Sequence, residues 1–185
     1  AFSGGVIAIL ITNMVLGLNA PEGVPGQALR PVLPTFLAYV LGFVFVGIYW
    51  ANHHHMLQLV ERVNGTILWA NMHLLFWLSL ISFATAWMGE HHYAAVPTAL
   101  YGIVLLGCGT AYTLLQRALI REQGPGSPLA AAVARDLKGR ASVAGYLVAI
   151  PSAFFLPMLS YALYIAIALM WLIPDRRIEK RLRHS

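Results

Sequence analysis

The sequence predicts an all-α membrane protein with six transmembrane helices, one domain over residues 1–185. Three observations carry that prediction. Hydrophobic residues make up 59% of the chain and charged residues only 10%, with a mean hydropathy of +0.70, far from the balance of a soluble domain. Apolar runs suited to crossing hydrocarbon recur six times, at about 2–18, 33–51, 66–88, 95–117, 140–156 and 158–173. No stretch between them is long and polar enough to build a second domain. Helices in lipid are then the economical fold, because they satisfy every backbone polar group within the segment.

The first run, FSGGVIAILITNMVLGL, carries no charge. No basic segment precedes it and Asn19-Ala20-Pro21-Glu22-Gly23 follows as a turn, so it reads as a retained span, not a cleaved signal. Gly5, Ile9, Thr12, Asn13 and Leu16 recur at spacings of three and four and line one helix face. Thr12 and Asn13 are polar groups that lipid cannot satisfy, which makes them functional-site candidates. The spacing leaves two readings open. The face lines an ion path, with Ile9 and Leu16 as constrictions and Thr12 and Asn13 as oxygen-bearing rings. Or it is a seam between helices in which the polar groups act as glue.

The Pro- and Gly-rich loop 19–33 reads as an outer cap. The second run ends in Trp50-Ala51-Asn52-His53-His54-His55, and the third opens with Asn71 inside LWANMHLLF. In the fourth, Gly102, Gly107, Gly109 and Ala111 suit close helix packing, and the lone Cys108 rules out an internal disulfide. The 117–140 connection holds Gly124-Pro125-Gly126-Ser127-Pro128, a turn, then either a short amphipathic helix or the start of the fifth span. Pro157 joins the last two runs so tightly that they read as a helical hairpin.

Basic residues set the orientation. Arg62, Arg117, Arg121, Arg135, Lys138 and Arg140 lie in loops of one set, as does the tail with Arg176, Arg177, Lys180, Arg181 and Arg183. Only Arg30 falls in the other set, so both termini are expected in the cytoplasm. The net charge of +5 is then an orientation device that also meets anionic lipid headgroups. Nucleic-acid binding is not expected, since the basic residues are juxtamembrane and have no polar domain beside them.

Histidines invite a metal-enzyme reading, but topology argues against it. His53–His55 and His91–His92 fall on opposite membrane faces, roughly 30 Å apart, and consecutive helical histidines point apart. No nucleophile–base pair, P-loop or T-V-G-Y-G filter occurs, and no carboxylate falls inside a span. Neither an enzyme nor a cofactor is expected, and a proton-coupled carrier or a carboxylate selectivity ring lacks its acid. The better use of the histidines is structural. Ser3, His53 and Asn71 should all lie at the cytoplasmic end of the first three spans, where hydroxyl, imidazole and amide can tie three helices together. Trp50 is expected to pack against the first helix beside them.

The first run, F-S-G-G followed by an apolar stretch into I-T, together with Trp50-x-x-His53 and the third-helix Asn71, resembles the transmembrane protein 175 family of lysosomal and prokaryotic potassium channels. The resemblance covers nearly the whole chain in order and spacing. Gly4 stands where the family carries an acidic residue, and Asn13 where relatives commonly carry an apolar one. One candidate pore helix per subunit cannot enclose a path, so symmetric assembly is implied. The resemblance makes it a homotetramer in a prokaryotic cell membrane, with four copies of the first helix around a central pore. It implies a potassium-leaning cation channel, with Ile9 as the constricting isoleucine and Thr12 one turn above it; K⁺ and other monovalent cations would be the permeant species. The alternatives are a secondary transporter or a non-conducting helical membrane scaffold.

Overall fold

The computed structural model describes residues 2–19, 29–60, 62–133 and 136–173. Within them the chain forms seven helices and no strand: α1 (Phe2–Leu16), α2 (Leu33–Gln58), α3 (Gly65–Glu90), α4 (Ala95–Gln123), α5 (Pro128–Val133), α6 (Leu137–Ser152) and α7 (Pro157–Leu172). The expected outer cap over residues 20–28, Arg135 and the basic tail lie outside the described residues.

α2, α3 and α4 are each long and apolar enough to cross a membrane, while α1 and α7 are apolar but shorter, at 15 and 16 residues. At 1.5 Å per residue α1 measures about 22 Å, less than a hydrocarbon core of about 30 Å.

Several helix ends depart from the sequence reading. α2 runs on through the histidines to Gln58, because polar side chains beyond the apolar run bond along the helix: Asn52 Nδ2 donates to the Ile48 carbonyl at 2.8 Å, and Gln58 meets His54 at 2.9 Å. α4 continues to Gln123 and buries Leu119 on the way; it stops at Gly124, whose φ of 90° is left-handed backbone that glycine adopts without a Cβ penalty. The 117–140 connection holds both expected features, the short α5 and then α6, which starts at Leu137 on an Asp136 cap (Gly139 N–H to Asp136 Oδ1, 2.7 Å). α6 also ends earlier than expected, at Ser152. Pro157 restricts the residue before it, and Leu156 is extended (φ −146°, ψ 76°), so residues 153–156 turn and α7 starts on Pro157.

α3 and α4 share the most extensive interface, and α1 packs against α2 and α3. The α6–α7 hairpin packs on α4, and α7 also reaches α2. Ile7, Leu10 and Met14 bury the inner face of α1. Gly42 of α2 makes room for it, since a Cβ there would sit 2.6 Å from Met14 Cε. Gly107 lets α4 lie on the Trp77 ring of α3, where a Cβ would overlap the indole. Cys108 is buried beside it. At the α3–α4 turn, the Tyr93 hydroxyl donates to the Pro34 carbonyl (2.8 Å) and the Tyr161 hydroxyl to the Tyr93 carbonyl (2.9 Å), which ties α2 and α7 to the turn. At the other end, Asn64 Nδ2 bonds Glu122 (2.6 Å) and Gln123 Nε2 bonds the Leu59 carbonyl (2.8 Å). Arg62, Arg117, Arg121 and Arg140 are exposed toward this end.

Candidate functional site

α1 is two-faced in burial, not in hydropathy. Opposite the buried Ile7, Leu10 and Met14, the helix exposes Gly5, Ile9, Thr12 and Leu16, with Ile9 62% and Leu16 75% exposed. Burial therefore separates two faces that composition alone makes equally apolar. The open face carries a hydroxyl and a glycine, a poor surface to leave against lipid tails. The Thr12 hydroxyl donates to the Ala8 carbonyl at 3.0 Å, one turn back along the helix. Its hydrogen is committed there, so toward the open face the oxygen has only lone pairs to offer.

Asn13 differs from the other four. At about 100° per residue it sits about 70° round the helix from the centre of the Gly5–Ile9–Thr12–Leu16 stripe. It lines a separate cleft of about 310 Å³ between α1, α2 and α3, shared with Thr35, Tyr39, Ser82 and Thr85. Asn13 is exposed, at the flank of the stripe.

At the N-terminal end of α1 the structure brings Ser3, Asn71 and His53 into one hydrogen-bonded chain. Asn71 Nδ2 donates to Ser3 Oγ at 2.9 Å, and Asn71 Oδ1 lies 2.7 Å from His53 Nε2. With the amide oxygen accepting, His53 donates from Nε2. His53 is 4% exposed, so an unpaired ring N–H there would be buried without water. α3 thus supplies the middle link between α1 and α2.

Trp50 makes no hydrogen bond within this chain among the described residues. It is half exposed and stacks on His54, with ring centroids 5.6 Å apart and planes 18° from parallel. Three residues before His53, it lies about 60° round α2 from the histidine, far enough to turn the indole outward. Two further histidines have local partners: Trp77 Nε1 donates to His73 at 3.0 Å, and His91 Nδ1 lies 3.1 Å from the Trp87 carbonyl. Among the described residues no three histidine, cysteine or acidic side chains cluster around a common point.

Long apolar helices, an unpartnered helix face with an inset hydroxyl, and a polar tie at its base define the class: an all-helical, multi-pass membrane protein built like a channel subunit. Residues 1–82 match the family described as the endosomal/lysosomal potassium channel TMEM175. Over all 185 residues the chain is 51% identical to a potassium channel of Chryseobacterium sp. (strain P1-3), spanning 96% of that protein. The chain is a member of the TMEM175 family, of the prokaryotic kind. A potassium channel of Streptomyces collinus is 32% identical over 123 residues, 62% of this chain and 60% of that protein. The crystal structure of a lysosomal potassium-selective channel TMEM175 homolog from Chamaesiphon minutus superposes with a TM-score of 0.77 at 26% identity, over 93% of each chain. The family is one of ion channels and not of enzymes.

Proposed function

We propose that the chain is a potassium-leaning cation channel of the prokaryotic cell membrane, a homotetramer with six spans per subunit and both termini cytoplasmic. Four copies of α1 line the conduction path. One observation carries this reading: α1 leaves open the stripe Gly5–Ile9–Thr12–Leu16, a polar group set among apolar ones, while the opposite side of the helix is buried in its own subunit. A surface of that kind needs water or another copy, and an axial position supplies both.

In this arrangement Ile9 forms the narrowest ring. Four apolar side chains exclude a hydrated ion by dewetting until the helices spread or rotate. Thr12, one turn away, presents hydroxyl oxygens whose hydrogens are held by Ala8, so the ring offers acceptors only. Such a ring favours an ion that sheds water easily, which K⁺ does more readily than Na⁺ because its larger radius binds water less strongly. Leu16 adds a second apolar layer. The Ser3–Asn71–His53 chain anchors the base of α1 to α2 and α3, so that movement at the constriction has a fixed reference. The names of the bacterial relatives support potassium as the ion.

A carrier reading gains nothing from the fold. Among the described residues no long helix is unwound in mid-span, and Pro151 sits in the last turn of α6. The deciding experiment is reconstitution into liposomes with an outward potassium gradient and a fluorescent flux readout. The channel reading predicts electrogenic potassium flux that does not saturate with potassium concentration. Saturable flux, or absence of flux from both the assembled parent and assembled Ile9→Asn protein, would overturn it.

A further inference from the structure

Away from α1, a cleft of about 530 Å³ opens between α2, α4, α6 and α7. Its aromatic walls are Phe45 and Tyr49 from α2, Tyr112 from α4, Tyr146 from α6 and Trp171 from α7. Asp136, the cap of α6, is the only charged residue lining it among the described residues.

Most polar groups in this cleft are already engaged. Asn52 and Thr113 donate to carbonyls one turn back, and Ser142 both donates to the Lys138 carbonyl and accepts from Trp171 Nε1. Tyr146 also lines the cleft and is buried, 3% exposed. Asp136 spends one oxygen on the Gly139 N–H. The positive end of α6 is worth about half an elementary charge and offsets only part of that carboxylate. Among the described residues the nearby cations stay out of the cleft: Lys138 Nζ bonds the Ile173 carbonyl at 2.7 Å and lies over the Trp171 ring at 5.8 Å, while Arg140 is exposed. Neither lines the cleft.

We infer that this cleft binds a small alkylated ammonium ion, with its charge between the Asp136 carboxylate and the aromatic walls and its polar arm on the Tyr146 hydroxyl. Aromatic faces attract a weakly hydrated organic cation through their quadrupole, and the carboxylate supplies the remaining charge. The Lys138–Trp171 contact already uses one of these rings in that way. A bare alkali ion is disfavoured, since a single carboxylate among rings replaces too little of its water. An anionic lipid headgroup would meet the Asp136 charge. The occupant would touch four helices at once, outside the proposed conduction path.

The test is titration calorimetry of the full chain in a maltoside micelle with choline, against 3,3-dimethylbutan-1-ol, which has carbon in place of the nitrogen. Choline should bind more tightly than the neutral isostere by on the order of tenfold. Asp136→Asn keeps a good helix cap and should reduce that preference with melting temperature retained. Tyr146→Phe should weaken choline while leaving the isostere unchanged. Equal affinity for the two compounds, no heat with choline, or an Asp136→Asn variant that prefers choline as strongly as the parent would each overturn the assignment, as would uptake of myristate in choline's place. The readout is binding alone, so it does not depend on whether the protein conducts.

Discussion

Asn71→Ala tests how α1 is held, and its size follows from the geometry. Asn71 is the middle of a three-residue chain, with contacts of 2.7 Å to His53 and 2.9 Å to Ser3. Polar contacts between membrane helices average about 0.6 kcal/mol and reach about 1.7, so losing both costs about 1.2 kcal/mol at the average. His53 is then left as a buried donor, which adds about 1 kcal/mol at the low end of that penalty. Asn71→Ala should therefore destabilise the subunit by about 2 kcal/mol. Ser3→Ala removes only the outer contact and should cost about 0.6 kcal/mol. The assay is reversible unfolding in mixed micelles on the two single variants and the double variant. Because Asn71→Ala already breaks the bond to Ser3, the double variant should be no worse than Asn71→Ala alone. Strictly additive losses, or an Asn71→Ala variant within about 0.5 kcal/mol of the parent, would show that these groups do not act as a tie.

Three further outcomes follow. Gly107→Val should destabilise by about 3 kcal/mol, since a Cβ there overlaps the Trp77 ring and the α3–α4 interface must separate; unchanged melting would mean that interface is looser than described. Mass measurement of detergent-purified protein should give four copies, because one subunit leaves the α1 stripe open; a stable monomer that conducts would refute assembly around α1. Thr12→Ala removes the acceptor ring without adding bulk, so potassium flux should persist while the reversal potential under bi-ionic K⁺/Na⁺ conditions moves toward zero. An unmoved reversal potential would leave Thr12 no part in ion preference.

Much of the fold was legible because lipid imposes a simple rule: six apolar runs correspond to α1–α4, α6 and α7. The misplaced boundaries have local causes. Hydropathy marks where hydrocarbon ends, but α2 continues through Asn52 and Gln58 because helix hydrogen bonding does not require apolar side chains. In α6 the apolar run continues past Ser152, yet Pro157 forces Leu156 out of helical backbone. That Ser3, Asn71 and His53 meet was legible from their shared end of adjacent spans. The outward turn of Trp50 was not, since a motif read as a string does not record rotation around the helix. Asn13, next to Thr12 in sequence, sits about 70° round the helix from the stripe's centre. The aromatic cleft was invisible for another reason. Tyr49, Tyr112, Tyr146 and Asp136 come from three separate parts of the chain, and only the packing of the α6–α7 hairpin on α4 brings them together.

The central claim is that α1 lines the path and Ile9 closes it. Potassium flux into liposomes from matched amounts of tetrameric parent and Ile9→Asn protein tests it most directly. The dewetting barrier depends on apolar lining as well as radius, so a wettable ring should conduct at rest where the parent is largely closed. The account predicts a raised resting flux in Ile9→Asn, with assembly intact. Flux equal to the parent in fully assembled Ile9→Asn protein would contradict it, and the conduction path would have to run elsewhere than along α1.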